Sequence, residues 1–279
     1  MKTVITMTSW TKRIQYVAKA IYCFLKTQTV KPDIFYLWLA EEEFPNKEKD
    51  LPEDLLTICS VFNVQIKWTK YNEYAFKRWY VYPKHNDDLV ISIDDDMVYF
   101  NTLIEDCIKE YQSNPTQHII HYSSCGGKIE IQNGISYIIT QQYKGPDIKN
   151  YFFGQCCFTP RSFPLECITE ESTKLKREIC PKTDEGWIHP FTIKNNIPIV
   201  FLSAKFRVEN PEIQNVALRN DLHFNLVEIN GKKYKKADIF RYLVINSNEE
   251  LKSAWIKAFP NYNLNEFNKD KEFLLKVCL

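Results

Sequence analysis

Residues Leu89-Val90-Ile91-Ser92-Ile93-Asp94-Asp95-Asp96-Met97-Val98-Tyr99-Phe100 constrain this chain more than any other stretch. The run starts almost wholly apolar, as a strand does when a sheet has both faces covered. Three carboxylates follow without a gap. Side chains alternate along a strand, so Asp94 and Asp96 are expected to share a side, with Asp95 pointing away. In open α/β sheets, ligands bind in the crevice beyond the carboxyl ends of the strands. Carboxylates this close repel one another unless a cation or hydrogen-bond donors stand between them. An Asp-x-Asp at the end of a buried strand therefore suits a hard divalent ion, Mg²⁺ or Mn²⁺, with diphosphate oxygens completing its shell. The bland alternative is a solvated acidic loop whose last Asp caps a helix. The third acid and the buried strand favour the site.

The rest of the composition narrows the class. With 279 residues, 44% of them hydrophobic, the chain can bury a large core. Its formal net charge of +1 gives no bulk attraction to nucleic acid or to an anionic membrane. No apolar run approaches the ~20 residues of a membrane span; Ile197-Pro198-Ile199-Val200-Phe201-Leu202 is about the longest. The apolar start Val4-Ile5-Thr6-Met7 is cut short by Trp10-Thr11-Lys12-Arg13, which does not read as a signal peptide. The expected location is therefore the cytoplasm, with the nine cysteines as reduced thiols, mostly small core residues. Gly-x-Gly-x-x-Gly, Walker, His-Glu-x-x-His and Gly-x-Ser-x-Gly patterns are all missing, which weighs against nicotinamide dehydrogenases, P-loop enzymes, zinc peptidases and common esterases.

Strand and helix patterns alternate through the first half, which predicts a doubly wound α/β fold. Strands are expected at Thr3–Thr8, Ile34–Leu39, Val64–Trp68, the acidic strand and His118–Tyr122. Helices are expected from Ile14, over Glu53–Phe62, over Tyr74–Tyr80 up to Pro83, and from Leu103 after a possible Asn101-Thr102 cap. Thr8 and Ser9 sit where caps for the first helix are plausible. Asn133-Gly134 between two β-rich runs signals a hairpin insertion. Tyr151–Phe158 reads as one buried strand and Ile197–Leu202 as another. A helix should start near Thr183-Asp184, bent or shortened by Pro190. Residues from about Lys232 onward read as helical and charged, anchored by Trp255, Phe259 and Tyr262. The expected division is a domain over 1–231 and a helical appendage over 232–279.

Four patches now stand together. They are Met7-Thr8-Ser9-Trp10-Thr11-Lys12-Arg13-Ile14, Lys77 ahead of the acidic strand, Ile93-Asp94-Asp95-Asp96, and Cys180-Pro181 through Trp187. With them the chain resembles bacterial glycosyltransferases of the GT-A type, the kind that builds lipopolysaccharide and capsule sugars. It departs from that pattern at Glu185, where the family has a second Asp, and around Gly154, where a glycine-rich patch is thin. The resemblance implies a GT-A-like, Rossmann-like, mostly parallel sheet flanked by helices. It also implies a nucleotide-diphosphate sugar donor and a glycan or glycolipid acceptor, with no nucleic acid and no transmembrane segment. Peripheral contact with a membrane-bound acceptor at the inner face of the membrane is compatible with it.

The resemblance further distributes roles. Thr8, Ser9 and Arg13 would lie near base and ribose, Lys77 near the diphosphate or ribose, and Asp94 and Asp95 on the donor. Asp96 with Asp94 would hold Mn²⁺ or Mg²⁺, and His223 would complete that shell or touch phosphate. Trp187, Asn220 and Asp221 would contact the acceptor. Each has a plainer reading: caps for Thr8 and Ser9, a surface lysine for Lys77, a surface histidine for His223, a core residue for His121. Of the second acid pair, Asp184 suits the helix cap or a second acceptor contact, and a capping Asp makes a poor base. Glu185 is then the expected base, and direct displacement with one base would invert the anomeric carbon. Two other classes compete: a metal-dependent phosphohydrolase with an Asp nucleophile, and a non-catalytic sugar-binding protein on the same fold. The first usually carries its Asp-x-Asp on the first strand, unlike this chain; the second has no need of acids at both ends of a site.

Overall fold

The computed structural model describes residues 1–122, 125–142, 151–152, 156–202, 208–209, 226–265, 267 and 269–278. Its strands are β1 (Thr3–Thr8), β2 (Ile34–Ala40), β3 (Val64–Thr69), β4 (Leu89–Asp94) and β5 (Met97–Val98). They continue with β6 (Ile119–His121), β7 (Cys125–Gln132), β8 (Ile135–Gln142), β9 (Tyr151–Phe152) and β10 (Cys156–Phe158). The last four are β11 (Ile199–Phe201), β12 (Val208–Glu209), β13 (Leu226–Ile229) and β14 (Lys232–Lys235). The helices are α1 (Ile14–Thr27), α2 (Glu53–Val61), α3 (Tyr82–His85), α4 (Leu103–Ser113), α5 (Glu170–Ile179) and α6 (Glu185–Lys194), then α7 (Lys236–Asn246), α8 (Glu249–Ala258) and α9 (Lys271–Cys278).

Seven strands form the central sheet in the order β11-β6-β10-β4-β1-β2-β3. All neighbours run parallel except β10, which lies antiparallel to both β4 and β6. The mostly parallel, helix-flanked sheet expected from the sequence is therefore what forms. From β1 the chain steps outward to β2 and β3, then returns to place β4 on the other side of β1. The order reverses at the β1/β4 pair, and in open α/β sheets ligands bind beyond the carboxyl ends of the strands at such a point. Their register sets Thr8 beside Asp94 there.

Both faces of the sheet are covered, which is why its strands read as apolar runs. On one face, Ile5, Met7, Leu37, Ile91 and Ile93 pack with Val17, Ile21 and Phe24 of α1 and with Leu103 and Cys107 of α4. On the other, Val4, Tyr36, Val90 and Phe158 meet Phe76, Trp79 and Tyr82, then Trp187 and Ile188 of α6. Ile239, Phe240, Leu243 and Val244 of α7 belong to that same core. The expected C-terminal appendage thus shares the sheet's own hydrophobic core. The β13–β14 hairpin also spans the expected boundary at 231/232. Trp255, Phe259 and Tyr262 do anchor this end, in a cluster with Ile245.

Four local expectations change. Tyr74–Val81 is a 3₁₀ helix, not an α-helix. At three residues per turn it aligns Phe76 and Trp79 with Tyr82 on one buried stripe. Pro83 does not end the segment; it lies in the first turn of α3, where its missing N–H costs nothing. Tyr151–Phe158 is not one strand: β9 pairs with β7 in the small hairpin sheet, and β10 enters the main sheet. Helix α6 runs through Pro190 to Lys194.

Two hairpins use the same turn chemistry. Asn133 and Gly134 have φ of 51° and 81°, and Asn230 and Gly231 have 54° and 77°. Two successive left-handed residues are what a two-residue turn between twisted strands requires. The surroundings differ. A Cβ on Gly134 would stand 2.3 Å from Asn263 Cβ, whereas one on Gly231 would meet nothing within 4 Å. The Gly134 carbonyl also accepts the Asn263 N–H at 2.5 Å. Gly231→Ala should therefore lose only the left-handed penalty of about 1–2 kcal/mol. Gly134→Ala should lose that plus an overpacking cost of about 1–3 kcal/mol. Urea unfolding of the two variants checks this; equal midpoints would show that the Gly134–Asn263 contact does not form.

Candidate active site

The site begins with the way β4 ends. The strand stops at Asp94, and Asp95 and Asp96 turn away before β5. β5 pairs antiparallel with β12, and the Tyr99 hydroxyl accepts the Asp94 N–H at 2.7 Å. The alternation expected for the three acids is therefore broken. Asp95, not Asp94, shares a partner with Asp96: Arg13 Nη1 reaches Asp95 Oδ1 at 2.5 Å and Asp96 Oδ2 at 2.9 Å. Asp94 faces another cation, with Arg78 Nη1 at 2.5 Å from its Oδ1.

Loop residues after β1 complete this end. The Ser9 hydroxyl donates to Asp95 Oδ2 at 2.5 Å. The Thr8 hydroxyl donates to the Trp38 carbonyl at 2.8 Å, tying the end of β1 to β2. Neither caps α1, which starts at Ile14 after Arg13 with no side-chain cap. Of the expected donor contacts, Ser9, Arg13 and Asp95 thus lie in one hydrogen-bonded group with Asp96, while Asp94 is held by Arg78 and stands beside Thr8 in the sheet register.

Lys77 is no surface lysine. It is fully buried, with Nζ 3.1 Å from Glu43 Oε2 and 3.1 Å from Asn72 Oδ1, beyond the ends of β2 and β3. Burial pushes its ammonium pKa down, against the pull of Glu43. The next residue, Arg78, was not among the residues singled out from the sequence, and it links the two halves of the site. Its Nη2 lies 3.1 Å from Asp184 Oδ2, and the Trp79 indole N–H donates to that same oxygen at 2.9 Å. The sequence signal for it is indirect: a concentration of acids in a folded site needs cations, and Arg78 adjoins Lys77.

Asp184 and Glu185 occupy the start of α6. Asp184 caps the helix, its Oδ1 accepting the Glu185 N–H at 3.0 Å, and the Thr183 hydroxyl accepts the Gly186 N–H at 3.2 Å. Burial opposes ionisation of Asp184, yet the Arg78 guanidinium and donated hydrogen bonds hold its carboxyl well below the usual range. Glu185 moves the other way: burial and the adjacent Asp184 charge raise its carboxyl well above the usual range. Arg78 thus favours the ionised form of Asp184, and the Asp184 charge disfavours ionisation of Glu185.

Trp187 corrects an expectation. It is 1% exposed, its indole N–H donates to the Cys167 carbonyl at 2.8 Å, and its ring packs on Phe191. It offers no face to a sugar; it fixes α6 in the core. His121 is likewise buried, its ring 4.8 Å from that of Phe201. Asn220, Asp221 and His223 lie outside the described residues.

The charge balance bears on a cation. Among the described residues, Asp94, Asp95, Asp96 and Asp184 carry four carboxylates against the two guanidiniums of Arg13 and Arg78. When all four ionise, negative charge is left over, which a cation would offset. No three His, Cys, Asp or Glu side chains among the described residues form a metal cluster by themselves. An Mg²⁺- or Mn²⁺-sized ion held by one or two carboxylates and completed by phosphate oxygens and water fits that pattern. Asp96 and Asp94, with side chains 15% and 27% exposed and each already paired with an arginine, are the acids that would hold such an ion. Among the described residues no helix is long and apolar enough to cross a membrane, and Cys23, Cys59, Cys107, Cys156, Cys157, Cys167 and Cys180 are free thiols.

No family model and no curated protein matches the chain. Solved structures similar to it include residues 1–349 of TarS from S. aureus, at 12% identity and a TM-score of 0.48, covering 98% of this chain and 76% of that one. The nucleoside-diphosphate-sugar pyrophosphorylase from Vibrio cholerae RC9 matches at 12% identity and a TM-score of 0.41, covering 78% of this chain and 99% of that one. The 2-C-methyl-D-erythritol 4-phosphate cytidylyltransferase from Francisella tularensis matches at 12% and 0.38, covering 79% and 96%. All three scores lie below 0.5.

Burial and the Asp94 charge push the Asp96 carboxyl up to about 6 despite Arg13. A raised carboxyl pKa means the folded protein binds a proton that the unfolded chain releases. Stability from this group is present below the unfolded pKa of about 4 and declines as pH rises to about 6. Asp96→Asn should therefore melt higher than wild type at pH 7.5 in metal-free buffer, with the gain vanishing near pH 4. Thermal melts at the two pH values check it; a variant less stable than wild type at pH 7.5 would contradict the repulsion.

Proposed function

We propose that this protein is a metal-dependent glycosyltransferase that moves a sugar from a nucleotide-diphosphate donor to a hydroxyl of a glycan acceptor. One observation carries the reading. The carboxylates at the β1/β4 switch point are joined through a buried arginine to a second acid pair at the start of α6.

Ser9, Arg13, Asp94 and Asp95 form the donor end, near the nucleoside and the diphosphate. Asp96 and Asp94 would hold a divalent ion, which when bound would supply Lewis-acid stabilisation of the departing diphosphate. Asp184, held ionised by Arg78 and Trp79, does not take up a proton readily and acts as an orienting group. Glu185 in its ionised form accepts the proton of the acceptor hydroxyl. That oxygen then bonds to the anomeric carbon as the bond to the diphosphate oxygen breaks, and the nucleoside diphosphate leaves with the electron pair. A raised pKa makes Glu185 the stronger base of the pair once it is ionised. Displacement from the face opposite the leaving group inverts the anomeric configuration. A growing surface polysaccharide, of the lipopolysaccharide or capsule kind, is the acceptor class that the sequence resemblance favours. Lys77 gives two of its three N–H groups to Glu43 and Asn72.

Incubation with nucleoside-diphosphate sugars and Mn²⁺ should release nucleoside diphosphate, and EDTA should stop it. Release of inorganic phosphate would instead indicate the phosphohydrolase, and no release with retained binding the sugar-binding protein. Glu185→Gln should lower kcat by about 100-fold or more while leaving donor binding near wild type. A product with the donor's own anomeric configuration by NMR would rule out this mechanism.

A further inference from the structure

Arg78 makes more contacts than charge neutralisation requires. It is 4% exposed and sits on the 3₁₀ segment whose other residues Phe76 and Trp79 enter the core. Its carbonyl accepts the Thr6 hydroxyl at 2.7 Å, pinning the segment to the middle of β1. Its guanidinium lies over the Trp79 ring, 5.3 Å from the centroid. From this fixed base, one nitrogen grips Asp94 at the end of β4 and the other grips Asp184 at the start of α6. The planar fork of an arginine fixes two acceptors relative to each other, which the single ammonium of a lysine does not.

Asp184 has little freedom left. Oδ2 receives both Arg78 and Trp79, and Oδ1 receives the Glu185 N–H. The orientation of Glu185 in the first turn of α6 therefore follows from where Arg78 holds Asp184. Trp187, two residues on, locks the same turn to the Cys167 carbonyl.

We propose that Arg78 is a positioning residue that sets the spacing between the donor end of the site and Glu185, acting through Asp184 rather than on the substrate. The inference rests on the glycosyltransferase reading. Misplacing a reacting group by about 1 Å can cost about 100-fold in rate. Arg78→Lys keeps a cation but loses the fork. It should leave donor KM within about threefold and lower kcat by about 100-fold. Asp184→Asn should show the same split. The Arg78→Lys/Asp184→Asn double variant should lose no more than the worse single one, because residues acting as one unit are not additive.

The experiment measures nucleoside diphosphate release by the full chain with Mn²⁺, alongside circular dichroism to confirm folding. Should Arg78→Lys fail to fold, Trp79→Phe removes one N–H from Asp184 and should reproduce a smaller kcat loss at unchanged KM. Wild-type kcat in Arg78→Lys, or in the folded Trp79→Phe that replaces it, overturns the positioning role, as does raised KM with kcat spared, or losses that multiply in the double variant. A wild-type protein that releases no nucleoside diphosphate from any donor overturns the transferase reading, and the positioning role with it.

Discussion

Negative charge gathers where β1 and β4 end, and the rest of the site is arranged to contain it. Like charges a few ångströms apart in a partly buried site interact far more strongly than in water. Here two arginines divide the work. Arg13 takes Asp95 and Asp96, while Arg78 takes Asp94 and Asp184. Buried ion pairs of this sort add little net stability, because desolvation offsets attraction, but removing one partner is costly. Their effect is geometric. They tie the loop before α1, the 3₁₀ segment, the turn after β4 and the first turn of α6 to one another, so these segments hold one arrangement.

What the sequence made legible was whatever depends on near neighbours along the chain. β1, β2 and β4 were readable because burial on both faces leaves an unbroken apolar run. The first residue of α1 and the cap of α6 were readable from local pattern as well. The arrangement of the three aspartates was not, because a strand rule was extended one turn past the end of the strand. Arg78 escaped notice for a different reason: its partners lie 16 and 106 residues away in the chain. Nothing in its own surroundings says that it is buried. Trp187 looked available because it follows an acid pair, yet helix α6 turns that ring inward. The β13–β14 hairpin is a plainer miss, since Asn230-Gly231 carries the same turn signal as Asn133-Gly134, which was read.

The 3₁₀ segment shows how apolar and polar demands are met together. Phe76 and Trp79 point into the core, with Tyr82 continuing their stripe; burying a side chain of this size is worth a few kcal/mol from transfer alone. That anchoring carries two cations inward at the same time, and they diverge. Lys77 reaches the ends of β2 and β3, and Arg78 reaches β4 and α6. The aromatic packing of Tyr82, Phe158 and Phe163, with Tyr82 and Phe163 stacked at 3.8 Å, fixes where this segment sits. The position of the charges is thus decided by rings that never touch them, apart from Trp79.

The order of the main sheet has a consequence for how copies of the protein meet in a crowded solution. Its outer strands are β11 and β3. Exposed strand edges invite pairing with another chain, which is the first step toward fibres and amorphous aggregates. β11 is only three residues long, too short a template for stable addition. β3 is longer, but it is half-buried along most of its length and carries Lys67, whose ammonium lies over the Tyr36 ring at 5.3 Å. That charge lies back over β2, on the face of the sheet, and leaves the outer edge of β3 without it. Among the described residues, the two ends of the sheet thus differ: β11 is guarded by its brevity, while β3 is the longer template.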